Sequence, residues 1–203
     1  MDPVFYCYQI TVNPRLPLLL WTALVFTGCG FTVMAPLPPA DPAPVFLLDH
    51  GRHASLVLPA DGGMVRYAYG DWDWYVLRQT GIRQGSRALF GPSPAGLGRK
   101  KLSASPTAAS VRRTVQVPIE HLYPLSADTG KVARLRNRLE KIFTEAEDGP
   151  RYNPAFDLEF VRHPEPYSLD HNSNTIVAEW LREIGVEIRG DGPLSQWKVA
   201  SEP

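Results

Sequence analysis

Cysteine is scarce: the 203-residue chain has two, Cys7 and Cys29, and none after residue 29. That excludes a disulfide within the later part of the chain and any four-cysteine zinc site. Net charge is missing as well, with 21 Lys+Arg balancing 21 Asp+Glu. A general nucleic-acid binder is usually basic, so no nucleic-acid partner is expected. No internal repeat is present, and no glycine-rich loop carries the Lys-Ser/Thr ending of a phosphate cradle. Proline is the abundant residue, 20 of 203, about twice the usual share of about 5%.

Part of the excess is local. Ala35 to Pro44 holds five prolines in ten residues. Proline fixes φ and donates no hydrogen bond, so residues 35–44 read as an extended spacer. Before it, Arg15 precedes an uncharged apolar run from Leu16, which ends in the small residues Thr27-Gly28-Cys29-Gly30. A basic flank, a hydrophobic stretch and small residues are the order of a secretory signal. Thr27-Gly28-Cys29 resembles a bacterial lipobox, with Phe26 where Leu is usual, and Cys29 would then be the lipidated residue. An ordinary signal, an uncleaved anchor of about 20 residues and a buried core segment are the other readings. The expected division is a signal or anchor over 1–34, a linker over 35–44 and one domain over 45–203.

Only Asp2, Arg15 and Asp41 are charged before residue 45. Thereafter Val45–Asp49, His53–Leu58 and Met64–Tyr69 read as strands, the last two joined by the turn Asp61-Gly62-Gly63. Residues 91–110, rich in Gly, Ser, Pro and Ala, read as a long loop, and Thr114–Val117 as a strand. Tyr152–Val161 looks irregular. Two helices are predicted: one from Asp128 or Thr129 to about Thr144, and one carrying Ile176, Val177, Trp180, Leu181 and Ile184 that stops at Gly185. Val186–Arg189 and Gln196–Val199 look like closing strand fragments. The expected fold class is α+β: a small antiparallel sheet, with barrel-like closure open, against two main helices. The neutral total conceals opposed segments, since residues 99–141 carry seven more basic than acidic groups and residues 145–191 seven more acidic than basic.

Two segments suggest chemistry. Gly51-Arg52-His53 opens a strand, and Asn172-Ser173-Asn174-Thr175 precedes the second helix. Asn, Ser and Thr there are also ordinary N-cap residues. Taken together, the segments resemble the circularly permuted papain-like families, including the lecithin:retinol acyltransferase group, and bacterial envelope lipoprotein families with Gly-x-His and Asn-Cys-Asn-Thr motifs. The likeness spans residues 45–190. It implies a permuted papain-like fold and a hydrolase or acyltransferase at the bacterial cell envelope. The chain would be held to the membrane by an N-terminal lipid or helix, with its domain extracytoplasmic.

Ser173 stands where those families place cysteine. A serine hydroxyl is too weak an acid to stand ionised at a helix N-terminus, as a thiol can, so His53 would have to take its proton during attack. Asp71 is the expected orienter of His53, with Tyr69 or Asp73 as substitutes. The Ser173 amide, with Asn172 nearby, is a candidate oxyanion donor. Asn172, Asn174, Tyr69, Trp72 and Trp74 are expected to bind substrate, which would be a lipid, a peptide or peptidoglycan. No cofactor or metal is expected, because His50 and His53 fall on a turn and a strand rather than one helix face. The alternative is an inactive envelope lipoprotein that binds a lipid, peptide or glycan in the same pocket.

Overall fold

The structure, a computed structural model, describes residues 30–34, 39–77, 91–191 and 196–200. Its fold is α+β, with four helices among these residues and two sheets. Strand β1 is Phe31–Val33, β2 Pro42–Asp49, β3 Ala54–Ala60, β4 Gly63–Asp71 and β5 Ser93–Leu102. Further along the chain come β6 His121–Asp128, β7 Arg151–Asn153, β8 Leu158–Tyr167, β9 Ile188–Arg189 and β10 Trp197–Val199. The helices are α1 Trp72–Tyr75, α2 Ala108–Thr114, α3 Thr129–Glu145 and α4 Ser173–Glu183. Strands β6-β2-β3-β4-β5-β8-β7 form one antiparallel sheet, and β10-β1-β9 a small second one. The large sheet is not closed into a barrel: its end strands β6 and β7 do not pair with each other.

The β3–β4 hairpin forms as its turn chemistry dictates, with Gly62 at φ 78°. Strand β5 departs from the sequence reading, which has a loop there. It is a ten-residue central strand between β4 and β8. Its glycines are seats for rings rather than breaks. A Cβ on Gly96 would lie 3.3 Å from the Trp72 ring, and one on Gly98 would lie 2.7 Å from that of Phe160. Ala108–Thr114 is likewise helix, Thr114–Val117 is not strand, and Tyr152–Val161 lies largely in β7 and β8.

Pro42 and Pro44, read as spacer, lie in β2. They pair only with β6, since β3 joins β2 from Phe46 onward. Proline is tolerated there because its missing N–H is not needed on the open side. Phe31–Val33, read as part of the leader, pairs with β9 and β10, and Phe31 is buried against Trp197 with ring centroids 4.6 Å apart. Residues 1–29 of the leader, including the lipidation candidate Cys29, lie outside the described residues. No helix among the described residues is long and apolar enough to cross a membrane.

Helices α3 and α4 cover one face of the large sheet. Asp128 caps α3 by accepting from Lys131 N at 2.8 Å, and Val132, Leu135, Leu139 and Phe143 are buried. Lys131, Arg134, Arg138 and Lys141 are exposed. The opposed charge segments partly neutralise each other: Lys100 pairs with Asp157, Arg138 with Glu183 and Arg99 with Glu159. On the other face Ala68, Trp72, Tyr75, Leu158 and Phe160 make a separate buried cluster.

Candidate functional site

Ser173 is the first residue of α4. Asn172 caps the helix: its side-chain oxygen accepts from the amides of Asn174 and Thr175, while Thr175 Oγ1 accepts from the Asn172 amide. This capping box fixes where the helix starts. The other end is fixed equally well. Gly185, at φ 90°, donates to Arg182 O and Val186 donates to Leu181 O, the paired bonds of a glycine-terminated helix. Between these ends Ile176, Val177, Trp180 and Leu181 are buried, so the first turn cannot slide. Ser173 is 4% exposed. Among the described residues nothing accepts its backbone N–H, one of the donors a helix start leaves over.

His53 ends a tight turn in which His50 N donates to His53 O at 3.0 Å and Gly51 N donates to Asp49 Oδ1 at 2.8 Å. Gly51 has φ 86°, with the Glu120 carboxylate against the face where a side chain would stand, so glycine is required. The His53 ring stacks on His50, with centroids 4.8 Å apart and 17° between planes. Its sides meet the edges of Tyr75 at 5.9 Å and Phe156 at 5.5 Å. Burial, then the charge of Arg66, pushes its pKa down to about 4.

Tyr75 connects the two motifs. Its ring meets His53 edge-to-face and packs also on Phe156 and Phe160, and its phenol lies close enough to the Ser173 side chain for Ser173 to act on its pKa. The ring lies on Gly70, where a Cβ would come within 2.4 Å of it. Asn153 Nδ2 donates to the Tyr75 carbonyl. Burial raises the phenol pKa, so the hydroxyl stays protonated at ordinary pH.

The other expected residues are distributed differently. Asp71 caps α1 by accepting from Trp74 N at 2.8 Å and also takes the Ser93 hydroxyl. Among the described residues no hydrogen bond joins it to His53. Asp73 lies in the first turn of α1. Tyr69 is buried, its hydroxyl 2.9 Å from His171 Nδ1 and donating to Glu165 O at 3.1 Å. His171 Nε2 is 3.0 Å from the Glu165 carboxylate. Tyr69 therefore anchors the segment that leads into α4. Trp72 is buried over Gly96 beneath the Arg162 guanidinium, whereas Trp74 is 37% exposed. Asn174 is buried beside Ser173.

Sequence reasoning missed Ser55 and Arg66, and it weighed His50 only as a metal ligand and Tyr75 only as core, pocket wall or a lipid or glycan contact. The available signal was Arg66, a charge inside the otherwise apolar strand Met64–Tyr69 and fully buried in the structure. Compared with known proteins, the chain matches no family model, no curated protein and no solved structure.

Proposed function

We propose that the Ser173–His53 site performs acyl transfer or hydrolysis at the bacterial cell envelope, in the manner of the permuted papain-like families. The carrying observation is Tyr75, whose ring meets His53 edge-to-face and whose phenol lies beside the Ser173 side chain. In the reaction Ser173 Oγ would attack a carbonyl carbon as its proton passes to His53. The Ser173 amide would receive the developing oxyanion. His53 would return the proton to the leaving alcohol or amine, giving an acyl-serine ester. Water or an acceptor hydroxyl would then release the acyl group and restore Ser173. The N-terminal segment would tether the domain to the membrane, through lipid on Cys29 or an uncleaved helix, near lipid, peptide or peptidoglycan substrates.

One observation favours a binding protein without catalysis: Ser173 is only 4% exposed. A fluorophosphonate probe separates the readings. The enzyme reading expects a covalent adduct on Ser173, hydrolysis of an ester or amide, and loss of both in His53→Ala. Absence of adduct and turnover across acyl and amide substrates would leave the binding reading.

A further inference from the structure

In a conventional triad a carboxylate orients the histidine. Here the chain of hydrogen bonds behind His53 ends on a cation. Arg66 Nε donates to Ser55 Oγ at 3.0 Å, and Ser55 Oγ is 2.9 Å from His50 Nε2. His50 Nδ1 is 2.7 Å from Pro118 O, and the His50 ring stacks on His53. Donor and acceptor chemistry gives this chain one direction. Arginine can only donate and a carbonyl can only accept. Ser55 therefore accepts from Arg66 and gives its own proton to His50 Nε2, while His50 Nδ1–H donates to Pro118 O. A second proton on His50 would occupy Nε2 and strip Ser55 of its acceptor.

We infer that Arg66 holds the place of the triad carboxylate: through Ser55 and His50 it positions the His53 imidazole, with a cation as the third member. Arg66 itself is fully buried, and NH1 donates to Phe156 O at 3.2 Å. The charges around the stack fit this assignment. Glu120 packs on Gly51 and the Asp49 carboxylate takes the Gly51 amide. Asp157, the acid that acts on Arg66, is hydrogen-bonded by Lys100 and Tyr152. From α1 the stack meets the neutral phenol of Tyr75. Burial and Arg66 also push the His50 pKa down to about 3. His53 is thus kept as an uncharged base, ready to accept a proton well into the acidic range.

This inference rests on the reading of His53 as the base of the Ser173 site, but its test does not depend on turnover. Imidazole resonances of the full chain are followed by NMR from pH 8 downward. His53 is expected to show no titration between pH 8 and about pH 5. In Arg66→Gln its midpoint should rise by about one pH unit or more, and Arg66→Lys should restore the flat profile. Ser55→Ala, which keeps the cation but cuts the chain, should leave His53 flat while weakening the His50–His53 ring contact in nuclear Overhauser spectra. It carries the test if Arg66→Gln fails to fold. Ordinary titration of wild-type His53, or an unchanged ring contact in Ser55→Ala, overturns the inference. An inactive chain with a flat His53 profile and a weakened ring contact in Ser55→Ala loses the acyl-transfer reading and the triad role, and keeps Arg66 as the group that positions His53.

Discussion

The ring of Tyr75 meets the imidazole of His53 edge-to-face, with centroids 5.9 Å apart, and its phenol lies beside the Ser173 side chain. The Tyr75–Ser173 contact joins two separately built parts of the molecule. Tyr75 belongs to the aromatic cluster with Trp72 and Phe160, whereas Ser173 opens a helix whose apolar side belongs to the main core. Removing either hydroxyl tests whether the two are hydrogen-bonded. Tyr75→Phe and Ser173→Ala are each expected to destabilise by about 0.5–1.5 kcal/mol in urea unfolding. The double variant should cost less than the sum, because the second change removes a partner already orphaned. Additive effects would show that the bond is absent in solution.

Acid should act through the histidine stack. His53 and His50 titrate lower in the folded chain, at about 4 and about 3, than the ordinary 6.5 that unfolding restores. The unfolded chain therefore binds protons first as pH falls. Stability contributed by the neutral rings is complete above pH 6.5 and is lost progressively from there down toward pH 4 and 3. Each proton taken up only by the unfolded chain gives a slope of about 1.4 kcal/mol per pH unit. His50→Gln should show a shallower fall than wild type across this window in urea midpoints measured at successive pH values. Parallel curves would count against burial of the neutral stack.

Gly70 supports the Tyr75 ring through the absence of a side chain. Its backbone is not in the left-handed region, so the effect of Gly70→Ala is purely steric. The added methyl meets the Tyr75 ring at 2.4 Å and has to displace it. A loss of about 1–3 kcal/mol is expected, the range for overpacking, together with a changed near-ultraviolet circular dichroism signal from the shifted tyrosine. A well-folded variant with an unaltered aromatic spectrum would contradict the packing described for α1.

How much of this was legible in the residues differs by element. Helix α4 could be read almost to the residue, because its signals are local: Asn172 and Thr175 at one end, Gly185 at the other, and apolar spacing between. The β3–β4 hairpin was legible for the same reason. Strand β5 was not, since Ser93-Pro-Ala-Gly-Leu-Gly looks like a loop until Trp72 and Phe160, distant in sequence, fill the space above its glycines. Pro42 and Pro44 likewise look like spacer until β6 pairs along one side of them and leaves the other open.

The sequence by itself determined the two motifs, the apolar-sided helix that ends at Gly185, the hairpin and the neutral balance of two opposed charge segments. All of these follow from neighbours within a few positions along the chain, or from counting. Only the tertiary structure decided what faces what. It placed Tyr75 against His53, gave Asp71 to Ser93, and set the buried cation Arg66 behind His50. Such pairings join residues well separated along the chain, and the requirement that buried polar groups find partners selects them only once the sheet has brought them together.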